Sequence, residues 1–365
     1  MANSAKNMYA MNHDAVVNAI IRNGRKRTVI VEGDIGSGKS SMLKMLAKEL
    51  PTHTPCYFDC TTKDLGDMQL PKMKDIEGND FVRFAPNEEL GIHLDGPVII
   101  DFDELGKANP AVKNAANGIM LERRLGTKKL HPDSVVFATT NLGAEGVGDL
   151  LQPHTRNRVT VVRMRKPDNM EWISWGIENG IDHSVLGWAK DNPQLFQSFE
   201  DIEDPEENPY IYHPRAVGRD AFVTPRSLEA ASDWLKEKEH IDSHSMTALL
   251  MGTIGDRAAM DLMAFVSLSD QLPSLESIKS DPMSAKVPDS AAGVCMVVYR
   301  TLAALEREWV TPWMKYLERL HPEAQGLFVN GVRDPKYSKS SMVFQNKEFT
   351  QWARVNNYMF AADKV

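Results

Sequence analysis

The residues from Gly33 to Ser40, Gly33-Asp34-Ile35-Gly36-Ser37-Gly38-Lys39-Ser40, carry the pattern G-x-x-x-x-G-K-[ST] with every fixed position filled. The run before it, Thr28 to Glu32, is rich in β-branched residues. The run after it, Ser40 to Leu50, spaces Met42, Leu43, Met45, Leu46 and Leu50 along one side of a helix. The loop therefore joins a strand to a helix, the setting that gives this pattern its meaning. Glycines let the chain curl until its N–H groups converge, and a helix N-terminus adds unpaired donors and the positive end of a dipole. Such a loop is built for a polyphosphate. On this reading Lys39 reaches the β and γ phosphates of ATP and Ser40 ligates Mg²⁺. Gly33, Asp34, Ile35, Gly36, Ser37, Gly38 and Ser41 complete the nucleotide contacts.

A site that cleaves a phosphoanhydride also needs a carboxylate near the metal and a group that aligns the attacking water. Val98-Ile99-Ile100-Asp101-Phe102-Asp103-Glu104 is an apolar run ending in acids. Asp103 suits the metal and Glu104 the activation of water. Asp101 shares a strand face with Asp103 by simple alternation and competes for the role. Its alternative is a carboxylate hydrogen-bonded at a sheet edge.

These residues need a scaffold. In the first half, strand-like runs (Thr28 to Glu32, Pro97 to Phe102, Ser134 to Thr140, Thr160 to Met164) alternate with helical patterns (His13 to Arg22, Ser40 to Leu50, Ala111 to Arg123). That order implies an α/β core, a parallel sheet flanked by helices. Beyond Lys166-Pro167 the pattern is mainly helical: Asp168 to Glu178, a helix opened by Thr224-Pro225 and running through Leu235, then Met246 to Leu268 and Ala291 to Leu320. Glu200 to Glu207 holds six acidic residues and reads as a self-repelling surface loop. The expected organisation is a nucleotide-binding core over 1–165, a helical lid over 166–325 with the acidic loop near 200–208, and a tail over 326–365 of unassigned role.

Several segments, in order, resemble one family. Asp103-Glu104-Leu105-Gly106-Lys107-Ala108-Asn109-Pro110 resembles the DE-x-x-(R/K)-A-x-P segment of MoxR-type AAA+ ATPases, the helix-2-insert group. Leu121 to Gly126 is similar to the segment leading into the hairpin before the sensor-1 strand. Ala138-Thr139-Thr140-Asn141 is similar to the end of that strand, and His154-Thr155-Arg156-Asn157-Arg158 to the segment with the arginine finger. Thr224-Pro225-Arg226-Ser227 resembles the sensor-2 helix start. Asp64 to Pro71 resembles the family's DLxG region, with Met68 and Leu70 in place of its Leu and Gly. The matches span about residues 10 to 240. The resemblance implies a P-loop AAA+ core followed by an α-helical lid, and a ring-shaped homo-oligomer, expected to be a hexamer, with ATP between subunits. It also implies a protein client to be remodelled or activated, with a von Willebrand factor A domain protein among the expected partners.

Within that resemblance Asn141, after a buried strand, would hydrogen-bond the attacking water or the γ-phosphate. Arg158, or Arg156 two residues earlier, would bring positive charge to a neighbour's transition state. Arg226 sits near a helix start, a poor place for a cation unless a phosphate offsets the dipole. The basic turn Thr127-Lys128-Lys129-Leu130-His131 would face a pore or simply be solvated.

A formal net charge of -8 and a pI near 5.7 make nucleic acid the less favoured client and argue against whole-surface binding to it. No apolar run is long enough to span a bilayer. The stretch Met1 to Asn12 lacks the apolar core of a signal peptide, and Cys56, Cys60 and Cys295 have no zinc or disulfide spacing, so a reducing cytoplasm is the expected compartment. The competing functions are an AAA+ motor acting on nucleic acid and an ATP-dependent assembly scaffold with little turnover.

Overall fold

Five strands run parallel in one sheet: β1 (Val29–Gly33), β2 (Thr54–Asp59), β5 (Val98–Asp103), β8 (Val135–Asn141) and β9 (Thr160–Met164), in the spatial order β2-β5-β8-β1-β9. The computed structural model describes residues 9–77, 79–142, 156–269 and 272–360. The chain divides into two compact units, Met1–Lys166 and Pro167–Val365.

Alternation along the central strands sorts their side chains to two faces. Ile30, Ile100, Phe102, Val136 and Ala138 face a core shared with Val112, Ala116 and Ile119 of the helix Pro110–Glu122. Val29, Val31, Ile99, Val135 and Phe137 face a second core with Val16, Val17 and Ile20 of the helix His13–Asn23 and Met42 and Leu46 of the helix Met42–Glu49. We label these helices α1 (His13–Asn23), α2 (Met42–Glu49) and, after a short helix α3 (Leu65–Met68), α4 (Pro110–Glu122). A sheet covered on both faces leaves β5 and β8 wholly buried, which explains their unbroken apolar runs. The helix starts are chemically specified. Asn12 accepts the amide of Ala15 at 2.9 Å, and Asn109 accepts that of Val112 at 2.9 Å with Pro110 at the first helical position.

The sequence reading did not anticipate three strands. β2 mixes Thr, Pro and Cys and lies at the sheet edge, half of it exposed, so its apolar signal is weak. β3 (Gln69–Ile76) and β4 (Asn79–Pro86) form an antiparallel hairpin in the region compared with the DLxG segment. A second, smaller hairpin, β6 (Arg124–Leu125) with β7 (Lys128–Lys129), holds the basic turn.

The second unit is helical around its own core. Trp313, Tyr316 and Phe328 pack with ring centroids 5.5–5.7 Å apart. The pattern read over Met246 to Leu268 is two helices, Ser243–Ile254 and Asp256–Ser269, parted at Gly255, whose added Cβ would lie 2.6 Å from the carbonyl oxygen of Ala221. Ala291 to Leu320 likewise divides into Ala291–Ala304 and Val310–Leu317. The helix Pro322–Arg333 runs through residue 325, and Phe328, Val332, Val343 and Trp352 join the same core. In the acidic stretch the carboxylates do local work: Asp201 and Glu207 close capping boxes opened by Ser198 and Asp204, and Glu206 pairs with Arg219 at 3.3 Å.

Phe102 is fully buried and meets Phe58 edge-on at 5.8 Å, fastening β5 to β2 just before the acids. Phe102→Ala is expected to cost about 3–5 kcal/mol of the first unit's stability by leaving a cavity, read as a lower denaturation midpoint in urea.

Candidate nucleotide site

The order β5-β8-β1 decides the site, because it brings the C-terminal ends of three strands side by side. In a parallel sheet that edge is where a ligand settles. Gly33, the last residue of β1, is in register with Asn141, the last of β8; across β5, Phe102 is in register with Ala138. The phosphate-loop motif, the acid pair and Asn141 therefore meet from three separate stretches of sequence.

The loop leaves β1 and turns into a short helical turn, Lys39–Ser41, that leads into α2. Gly36 and Gly38 have φ of 69° and 93°, the left-handed region that side chains resist, so the curl of the loop depends on glycine at both positions. Lys39 is buried. Its Nζ donates to the carbonyl oxygens of Gly33 (3.0 Å) and Asp34 (2.8 Å) and to Oδ1 of Asn141 (2.9 Å). His13, the first residue of α1, sets Nε2 3.1 Å from both the Gly38 carbonyl oxygen and the Ser41 hydroxyl, bracing the loop from outside. The Ser37 hydroxyl is buried with no hydrogen-bond partner, an unmet polar atom inside a loop of converging amides. A phosphate oxygen would satisfy it, and so the residues present fit a nucleotide.

On the acidic side, Asp103 is held from three directions. Its Oδ1 accepts from the Thr139 hydroxyl and from the Glu104 amide at 3.1 Å, and its Oδ2 accepts from the Tyr57 hydroxyl at 2.9 Å. Burial and the hydrogen bond to Asp103 push the Tyr57 phenol up, which keeps it a donor. Glu104 has φ 51° and ψ 37°, an uncommon conformation for a residue of its kind, and this bends its side chain out of the strand direction. Both carboxylate oxygens accept from Nδ2 of Asn141 at 2.8 Å, and Lys107 lies 3.4 Å away. Asn141 thus takes the ammonium of Lys39 on its oxygen and the carboxylate of Glu104 on its nitrogen.

Asp101, the competing acid, is set apart by its surroundings. It lies in the second strand of the sheet, in register with Tyr57 and Phe137, not at an edge, and neither carboxylate oxygen has a hydrogen-bond partner. Burial first, then the charge of Asp103, pushes its carboxyl well above the usual carboxylate range, so ionisation is disfavoured there, in contrast to the hydrogen-bonded Asp103.

Within the first unit, Arg156 and Arg158 lie away from the loop. Arg158 and Arg156 are exposed just before β9, at its N-terminal end. Thr160 is in register with Val29 and Met164 with Gly33, so Arg158 lies at least about 13 Å along the sheet from the loop's own end of β1. Arg226 is the second residue of the helix Pro225–Lys236 in the helical unit, where Thr224 caps the helix through Ser227. Thr139 and Tyr57 were missed by sequence reasoning. Thr139 lies two residues before Asn141 on the same strand face, a usable signal, whereas nothing in the sequence marked Tyr57. Among the described residues no cluster of acids, histidines and cysteines forms a closed metal site.

No protein-family model and no curated protein sequence matches the chain. Among solved structures it is similar to the RuvB Holliday junction branch migration motor of Thermotoga maritima: 15% identical, over 71% of this chain and 70% of that one, with a TM-score of 0.37. It is also similar to NtrX from Brucella abortus in complex with ADP: 14% identical, over 98% and 71%, with a TM-score of 0.39. At that degree of superposition neither likeness bears on the chemistry, which rests on the side chains themselves.

Because burial raises the pKa of Asp101 in the folded chain above its unfolded value, it lowers stability as pH rises above 3.8, the ordinary carboxylate value, toward its raised folded value. Asp101→Asn is expected to be more stable than the parent at neutral pH without nucleotide, with the gain shrinking toward pH 4. Melting temperatures across that range check it; a gain independent of pH would contradict the raised pKa.

Proposed function

We propose that the chain is an ATP hydrolase of the AAA+ type, of the MoxR branch. It works as a ring-shaped homo-oligomer, a hexamer, and couples hydrolysis at subunit interfaces to remodelling or activation of a protein client. A partner with a von Willebrand factor A domain belongs to the same reading. The observation that carries it is the double engagement of Asn141 with Lys39 and Glu104, beside Asp103. A phosphate-binding scaffold needs the lysine. It does not need a carboxylate aimed at the same point by a strained backbone and an amide. The acidic charge balance favours a protein client over nucleic acid. We infer a reducing cytoplasm from the free, buried cysteines; among the described residues no helix is long and apolar enough to cross a membrane.

The loop amides, the Ser37 hydroxyl and Lys39 would hold the phosphates of ATP, and Ser40 and Asp103 would hold Mg²⁺. The metal supplies positive charge that offsets charge on the phosphate oxygens. For Lys39 to reach a phosphate, its Nζ must leave the carbonyl oxygens of Gly33 and Asp34 and the amide oxygen of Asn141. Asn141 Oδ1 is then free to accept from the attacking water. Glu104, oriented by Asn141 Nδ2, takes the proton of that water on a carboxylate oxygen. Tyr57 and Thr139 keep Asp103 in place. Arg158, too far from its own loop, serves the site of the neighbouring subunit, with Arg156 as its alternative, and Arg226 couples the helical unit to the nucleotide.

Wild-type protein is expected to hydrolyse ATP and to reach ring size by light scattering when ATP is added. Glu104→Gln should assemble but turn over at least about a hundredfold more slowly. Arg158→Ala should be equally slow alone, yet a mixture of the two inactive variants should regain activity, because each supplies what its neighbour lacks. Inactive wild type that stays monomeric would overturn the reading. A mixture no more active than its parts would remove the shared site. For the metal, Tyr57→Phe should raise the Mg²⁺ concentration needed for half-maximal rate by roughly tenfold to a hundredfold, the worth of one hydrogen bond to a charged group, with the rate at saturating Mg²⁺ little changed.

A further inference from the structure

The hairpin β3–β4 is eight residues in register on each side, from Gln69 opposite Pro86 to Ile76 opposite Asn79, and among the described residues no third strand pairs with it. A two-stranded ribbon is marginal in water, and its outer edges present unsatisfied backbone groups. Its two edges differ. β3 carries Pro71 in its body, whereas β4 has no proline before its last residue, Pro86, so β4 offers the unbroken ladder of donors and acceptors.

Register also sorts the side chains. On one face Lys72 stands opposite Arg83 and Lys74 opposite Phe81, all exposed. Like charges directly opposite each other destabilise a ribbon. None of the three cations forms an ion pair among the described residues, and the acids Asp75 and Asp80 stand opposite each other on the other face. That other face carries Met73, Val82 and Phe84, which are 68%, 56% and 43% exposed. One face bears the three cations together with Leu70 and Phe81, the other bears Met73, Val82 and Phe84 with the Asp75–Asp80 pair toward the turn, and the open edge of β4 presents Arg83 to one side and Val82 and Phe84 to the other.

We propose that the edge of β4 takes an extended segment of a protein client as a third strand, and that it selects alternating acidic and apolar residues. The backbone of the segment pairs with β4. Its acids lie beside Arg83, in the field of Lys72 and Lys74, and its apolar residues cover Val82 and Phe84. The segment's charges relieve the Lys72–Arg83 repulsion, and its side chains remove exposed apolar surface from water. The owner of the segment rests on the reading of the chain as a client-remodelling ATPase; the pairing itself does not require turnover.

The test uses the full chain without nucleotide and a fluorescein-labelled peptide of alternating Glu and Val as long as β4, followed by anisotropy. Three controls accompany it: a peptide of the same composition with Glu and Val in two blocks, the alternating peptide N-methylated at every second residue, and oligothymidylate. The alternating peptide is expected to bind about tenfold tighter than the block and N-methylated peptides. Arg83→Glu should weaken it about tenfold; this change gives Lys72 an opposite charge across the ribbon and so spares the hairpin. Equal binding of all three peptides would overturn strand addition. Tighter binding of oligothymidylate, lost in Arg83→Glu, would replace the peptide by a nucleic acid strand. Concentration-dependent dimers lost in Arg83→Glu, with no peptide bound, would make the occupant a second copy of the chain. ATP hydrolysis, measured after ATP and Mg²⁺ are added to the same protein preparations, separates the two readings: hydrolysis without peptide binding sinks only the docking proposal, and binding without hydrolysis sinks only the ATPase.

Discussion

One amide side chain holds the site together. Asn141 accepts from the ammonium of Lys39 and donates to the carboxylate of Glu104, so a cation from one loop and an anion from another are bound to a common centre. A side-chain amide offers an acceptor and a donor side by side. An aspartate there would repel Glu104, and an aliphatic residue would leave two buried or half-buried charges without that partner. The rest of the first unit can be understood as what it takes to put Asn141 between those charges.

That requirement explains the sheet. β8 can carry Asn141 to the midpoint only if it lies between β1, which delivers the loop, and β5, which delivers the acids. A strand with parallel neighbours on both sides and helices on both faces is apolar along most of its length, and β8 is buried from Val135 to Asn141. The polar end of such a strand is tolerable because its polar atoms are matched: Thr139 is spent on Asp103 and the Glu104 amide, and Asn141 on the charges. Asp101 is the contrast. It sits in the same apolar setting with no hydrogen-bond partner for either oxygen, and burial there disfavours its charged form.

How much of this could be read from residues alone follows from what each signal depends on. The loop motif, the acids after an apolar run and Asn141 after another are local patterns, and local patterns survive in a sequence. The parallel sheet was legible for the same reason, since fully buried strands write continuous apolar runs. Alternation puts Asp101 and Asp103 on one face, so the sequence favoured Asp103 only through its pairing with Glu104 at the end of the run, and it is their partners that set the two acids apart. Tyr57 was invisible, since its meaning comes from β2 lying beside β5, a contact between distant segments. The hairpin β3–β4 was missed because both its faces mix charged with apolar residues, so no clean alternation shows, and its side chains are largely exposed. The helical pattern over Met246 to Leu268 was sound residue by residue, but the break at Gly255 is imposed by the nearby Ala221 backbone.

The left-handed backbone at Glu104 has a consequence for how this protein can change. Glycine or asparagine would be at ease in that conformation, and either would relieve a strain of about 1 kcal/mol or more. Random drift under selection for folding alone would therefore be drawn toward losing the carboxylate. A glutamate that persists there marks a position where stability and chemistry pull in opposite directions, and a lineage that had ceased to need hydrolysis would be expected to show it first at this residue.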